Sequence, residues 1–112
     1  MMDLKLFTQL ALSFDEVFEQ PHFEKTSFRV NKKIFATLEP DKLKASLKLS
    51  KIDQSVFCSF NSAYIYPATG VWGKQGWTIF EIKNLQLDMI KDAITLSYCN
   101  VAPLKLSDKY KM

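Results

Sequence analysis

A chain of 112 residues is long enough for one domain that buries roughly 65% of the surface its unfolded form exposes. Its 47% hydrophobic and 24% charged residues match a globular balance and exclude a disordered chain. The formal charge of +3 is modest, no apolar run approaches the roughly 20 residues of a membrane span, and the N-terminus lacks a basic-then-apolar leader pattern. A cytoplasmic location without membrane insertion is expected.

Leu6, Phe7, Leu10, Ala11 and Phe14 form the stripe of an amphipathic helix over about 3–12. Ser13-Phe14-Asp15-Glu16 has the spacing of a capping box, in which the Ser oxygen and the Glu carboxylate satisfy N–H groups at a helix start. It predicts a short second helical turn over 14–19, ended by Pro21.

From His22 to Ser50 the period changes to two and predicts a three-stranded antiparallel meander. Phe28 and Val30 share one face of the first strand, opposite Ser27 and Arg29. Ile34, Ala36 and Leu38 alternate with Lys33, Phe35, Thr37 and Glu39, and Leu43, Ala45, Leu47 and Leu49 alternate with Lys42, Lys44, Ser46 and Lys48. A one-residue slip would turn a strand inside out, so the pattern suggests a register. A turn at 39–42 pairs Leu38 with Leu43 and Ala36 with Ala45. A three-residue loop, Asn31-Lys32-Lys33, sets Val30 opposite Ile34, Phe28 opposite Ala36, and Arg29 opposite Phe35 on the outer face.

Ser50 is an N-cap candidate for a helix over about 51–60 with Ile52, Val56, Phe57 and Phe60 on one side. Residues 61–76 hold all three glycines and no sustained period, and read as a long connection carrying Tyr64, Tyr66 and Trp72. Trp77-Thr78-Ile79-Phe80-Glu81-Ile82 is a fourth strand. Leu87, Ile90, Ala93, Ile94, Tyr98 and Val101 recur at helical spacing, and Pro103 ends or kinks that helix. The polar tail over about 107–112 is expected to fray. The order α-β-β-β-α-β-α predicts one two-layer α+β domain spanning 1–112, a mainly antiparallel sheet (the meander plus a later strand) with helices packed on one face.

His22-Phe23-x2-Thr26-Ser27-Phe28-Arg29-Val30, Lys33-Ile34-Phe35-Ala36, the Leu-x-Leu run ending at Ser50, Gly73-Lys74-x-Gly76-Trp77 and Ser97-Tyr98-x2-Val101-Ala102 resemble the MmcQ/YjbR-like family, of DUF419 type. The similarity runs from about residue 5 to 106, and the order of the motifs carries it more than any one of them. Pro103 departs from the pattern, since such proteins tend to continue the last helix. The resemblance implies a compact α+β domain with a "double-wing" DNA-binding motif.

Little in the chain points to catalysis. His22 is the only histidine, and a lone His before a strand is more often a hydrogen-bonded structural residue than a catalyst. Three or four ligands for a zinc site are missing, so no metal or cofactor is expected. Asp15 with Glu16 and Asp88 with Asp92 fit solvated helix faces, and Gly73-Lys74-Gln75-Gly76 lacks phosphate-loop spacing. Cys58 and Cys99 read as ordinary buried thiols of a reducing compartment.

Charge is more informative. The stretch from His22 to Lys51 carries eight basic and three acidic residues, and hence all of the positive excess. The expected function is a non-enzymatic domain that binds DNA or another nucleic acid on a basic sheet surface. Arg29, Lys33, Lys44, Lys48 and Lys74 would meet phosphates, Phe35 would stack on an unpaired base, and His22 and Trp77 would lie near the same surface. The bland counterpart is that strand lysines merely prevent edge-to-edge aggregation. The alternative function is a protein-interaction or chaperone-like module with no nucleic-acid partner, using the sheet or the aromatic connection, where exposed Trp72, Tyr64 and Tyr66 would mark a second candidate surface.

Overall fold

The structure, a computed structural model, describes residues 3–111. Helix α1 (Leu4–Leu12) is followed by strands β1 (Phe18–His22), β2 (Lys25–Val30), β3 (Lys33–Glu39) and β4 (Lys44–Lys48). Then come α2 (Lys51–Phe60), β5 (Ile65–Pro67), α3 (Gly70–Lys74), β6 (Trp77–Glu81), α4 (Leu87–Val101) and α5 (Leu104–Ser107). The strands form one antiparallel sheet in the order β1-β2-β3-β4-β6-β5. The expected two-layer α+β fold and its α-β-β-β-α-β-α order are present, extended by an edge strand at each side and two short helices. No helix of the described residues is long and apolar enough to cross a membrane.

The first edge strand replaces the expected second helical turn. The Asp3 carboxylate accepts from the Leu6 N–H at 2.8 Å and starts α1, but the Ser13 hydroxyl donates back to the Leu10 carbonyl and closes that helix. Glu16 then takes a left-handed φ of 61°, which turns the chain into β1. Pro21 is accommodated because β1 lies at the sheet edge, where a missing N–H costs no ladder bond.

The β2–β3 hairpin differs from the expected odd loop. Asn31 and Lys32 both have positive φ, 52° and 67°, the signature of a two-residue type I′ turn, and Val30 pairs with Lys33 and Arg29 with Ile34. A β-bulge then restores Phe28 opposite Ala36, with Phe35 as the extra residue. At the next turn, Pro40–Lys42 form a 3-10 turn and Leu43 is left-handed, so Leu38 pairs with Ala45 and Ala36 with Leu47. That register is two residues from the expected one, which leaves the side chains paired between β3 and β4 on their expected faces.

The covered face of the sheet holds Phe28, Val30, Phe35, Ala36, Leu38, Ala45, Leu47 and Phe80, all buried. Phe7 of α1 packs on Phe28 at 6.0 Å between ring centroids, and α4 crosses β3 and β4 with Ile90, Ala93, Ile94 and Tyr98 buried. Full burial of each such side chain stabilises the fold by about 1.5–3 kcal/mol. Helix α2 contributes differently from its apolar stripe. Phe57 packs 5.7 Å from Phe80 and Gln54 is buried, while Ile52, Val56 and Phe60 face solvent.

Pro103 ends α4 as expected, but the segment expected to fray packs against the fold. Ser107 is buried, and the Tyr110 ring lies 5.0 Å from Phe14 and 5.3 Å from Tyr98. The Tyr110 hydroxyl accepts from the Asp15 N–H at 3.0 Å, the Tyr98 hydroxyl donates to the Asp15 carbonyl at 2.8 Å, and Lys109 pairs with the Asp15 carboxylate. Met112 lies outside the described residues.

Candidate functional site

The other face of the sheet is open. Strand alternation sends Ser27 and Arg29 of β2, Ile34, Thr37 and Glu39 of β3, and Lys44, Ser46 and Lys48 of β4 to this side. Trp77, Ile79 and Glu81 of β6 and Tyr66 of β5 continue the same face. Across its middle, Ser27, Thr37, Ser46 and Ile79 stand in one row of cross-strand partners.

The long connection does not stray from this surface. It folds back as β5 and α3, and two close approaches hold it there. A Cβ on Gly73 would lie 2.1 Å from the Ala68 carbonyl oxygen, and one on Gly76, whose φ is +104°, would lie 2.0 Å from the Leu49 carbonyl oxygen. The buried Gln54 amide bridges the same junction, donating to the carbonyls of Gly73 at 2.9 Å and Trp77 at 3.2 Å. Trp72 on α3 is thereby brought over the open face, with 59% of its surface exposed. Trp72 and Tyr66 of the connection thus join the sheet surface that the sequence suggested separately, whereas Tyr64 packs against the core.

The result is a groove of about 440 Å³. Ile34, Thr37, Ser46 and Ile79 form its floor, His22 and Lys25 stand at one wall, and Trp72 and Trp77 at the other. No carboxylate among the described residues lines it. Two further hollows among the described residues differ in this respect. One, between α2 and α4, includes Asp53 and Asp92, and one beside the β1–β2 turn includes Glu24, Glu39 and Asp41.

The expected site residues divide. His22 and Trp77 line the groove, and Lys48 holds its ammonium 5.6 Å from the centroid of the Trp77 ring, a cation–π contact. Arg29 lies on the same face. Its Nε donates to the Ser27 hydroxyl at 3.1 Å, and that hydroxyl donates to the Gln20 carbonyl at 2.8 Å, so the side chain is held without a carboxylate partner among the described residues. Lys44 belongs to an ionic row with Glu39 and Glu81. The Tyr66 hydroxyl donates to Glu81 Oε2 at 2.5 Å, which raises the Tyr66 pKa, and Tyr66 followed by the nearby carboxylates raises that of Lys44. Lys25 and Lys42 lie 3.8 and 3.5 Å from Glu39, so this end of the face is close to charge-balanced.

Three expectations need correction. Phe35 is fully buried and packs edge-on against Tyr98 at 5.5 Å, because the bulge rotates it into the core and sends Ile34 outward. It has no surface for a base. Lys33 pairs with Val30, which assigns it to the opposite side from Arg29, at the exposed hairpin tip. Lys74 sits exposed at the end of α3, its carbonyl accepting from Lys51 Nζ at 3.2 Å, and does not line the groove. Lys25 and Ile34 were missed. Lys25 lies beyond the meander's regular alternation, and Ile34 reads as core in any unbulged strand.

An open antiparallel sheet with helices on one face and an aromatic, carboxylate-free groove on the other defines a two-layer α+β domain with one distinctive surface. The YjbR family model matches residues 12–100, and the chain belongs to that family. Among solved structures, the crystal structure of Deinococcus radiodurans protein DR2400, which carries a DUF419 domain, shares the fold with a TM-score of 0.80 at 16% identity, covering 98% of this chain and 88% of that one. No curated protein matches the chain.

Proposed function

We propose that this YjbR-family domain binds nucleic acid on the open face of its sheet, without a catalytic step, and prefers an unpaired strand to a duplex. One observation carries the reading: the groove combines an exposed tryptophan, a second tryptophan under a lysine, and Lys25 at the opposite wall, with no carboxylate among the described residues in its lining. Such a site suits a ligand that is aromatic and anionic together. An unpaired base stacks on an aromatic face for about 1–3 kcal/mol, and a paired base has no free face to offer. Lys25, Arg29 and Lys48 surround that groove or share its face, within reach of a tracking phosphate backbone. The double-wing description attached to similar proteins points to the same class of ligand.

Fluorescence anisotropy of labelled single-stranded and duplex oligonucleotides, measured across a salt series, tests this. Single strands should bind more tightly, with affinity falling as salt rises at a slope of about −2 for three phosphate contacts. Trp72→Ala should weaken binding by roughly tenfold, and Lys48→Glu should weaken it and flatten the salt slope. No binding at low salt, or unchanged affinity in both variants, refutes the proposal.

A further inference from the structure

The floor of the groove carries a pair of hydroxyls that the fold leaves unused. Ser27, Thr37 and Ser46 stand in one row of cross-strand partners, but they are not equivalent. Ser27 is buried, and its hydroxyl is engaged twice, donating to the Gln20 carbonyl at 2.8 Å and accepting from the Arg29 Nε at 3.1 Å. Thr37 and Ser46 are half-buried in the groove floor, with Ile34 and Ile79 beside them, and neither hydroxyl has a hydrogen-bond partner among the described residues. Thr69, the third hydroxyl of the lining, is exposed and stays in contact with water whatever fills the groove. The two on the floor do not. A ligand that covers the floor removes water from both, and each hydroxyl it leaves unpaired then costs affinity.

We infer that Thr37 and Ser46 hydrogen-bond the edge of an unpaired base held in the groove, so that the site accepts a base with a hydrogen-bonding edge and rejects a plain aromatic ring. The pair acts within the nucleic-acid site proposed above, on which the inference rests, and supplies the groups that face the base. Trp72 and Trp77 form a wall and the two hydroxyls part of the floor, so a ring lying flat on the wall turns one edge to the floor. As cross-strand partners the two side chains have Cβ atoms about 4.5–5.5 Å apart, close enough for both to meet one base. The Watson–Crick edge is free in a single strand and is where unpaired bases are read. Each hydroxyl has one donor and two acceptor sites, and pairs with a carbonyl, a ring nitrogen or an amino group alike. The floor therefore demands polar groups without fixing their order. Discrimination among the four bases is slight, and discrimination against an edge that lacks such groups is large.

Two labelled single strands of equal length test this by fluorescence anisotropy, one of thymidine and one in which difluorotoluene, a ring of the same shape without hydrogen-bonding groups, replaces each thymine. Phosphates and stacking faces are the same in both, so the ratio of the two affinities reads the base edge alone. The native chain should prefer the thymidine strand by roughly tenfold or more. Thr37→Val combined with Ser46→Ala keeps side-chain shape and removes both hydroxyls. It should bring the two affinities within about twofold of each other, with the salt slope of the native chain retained and the unfolding midpoint within a few degrees of native. Equal binding of the two strands by the native chain overturns the inference and leaves the nucleic-acid reading standing. So does a preference that survives in the double variant. Binding of neither strand at low salt removes both.

Discussion

Two buried serines near the C-terminus provide a sharp test of how the bulge in β3 is held. The β3–β4 ladder pairs Ala36 with Leu47 and stops, although the next pair in register would be Phe35 with Lys48. The Ser97 hydroxyl of α4 takes that place, donating to the Phe35 carbonyl at 2.5 Å and accepting from the Lys48 N–H at 2.9 Å. Ser97→Ala deletes both bonds and strands a buried carbonyl and a partly buried N–H. At about 1–3 kcal/mol for each group left unpaired, and less for the one nearer solvent, the loss is about 3 kcal/mol. In a domain of this size that lowers Tm by roughly 10–15 °C. Ser107 is equally buried, yet its hydroxyl finds no partner among the described residues, so Ser107→Ala should be neutral or slightly stabilising. Urea and thermal unfolding of the two variants side by side are the assay. A loss below about 1 kcal/mol for Ser97→Ala, or equal losses for both, refutes the bridging role.

Two further outcomes follow from the geometry. Gly76→Ala should cost at least about 2 kcal/mol in urea unfolding, since it adds left-handed strain to a clash with the Leu49 backbone, and should loosen α3 enough to change Trp72 fluorescence. The Lys109 ammonium holds the Asp15 carboxyl below its ordinary 3.8. A depressed carboxyl pKa stabilises the fold above the unfolded value and loses that contribution as pH falls through the lowered folded one. The Lys109–Asp15 ion pair should therefore be lost only as pH falls below the ordinary carboxyl value of 3.8, read from the Asp15 side-chain resonances. Lys109→Ala should move the Asp15 titration back toward its ordinary value; an unmoved titration would show that the ion pair has no such effect.

Much of this protein is written in local sequence. Period-two alternation in β2, β3 and β4 and helical spacing in α1 and α4 determine which faces are apolar, and those faces impose two layers. Between β3 and β4 parity survived although register did not, because a shift of two residues keeps the same side chains inward. The basic character of the open face was legible for the same reason, in Arg29, Lys44 and Lys48.

Tertiary structure decided the rest. A bulge depends on what packs above it: Tyr98 receives the Phe35 ring and Ser97 satisfies the backbone that the extra residue leaves unpaired. Neither partner lies near residue 35 in sequence, so local pattern assigned Phe35 to the surface and Ile34 to the core. Helix α2 shows the converse. Its apolar stripe predicts a buried side, but the junction with α3 and β6 selects Gln54 for burial because a side-chain amide can reach two backbone carbonyls there. The groove is likewise a product of folding alone. His22 lies far from Trp72 and Trp77 along the chain, and close contact at Gly73 and Gly76 folds the connection over the sheet so that all three face one space.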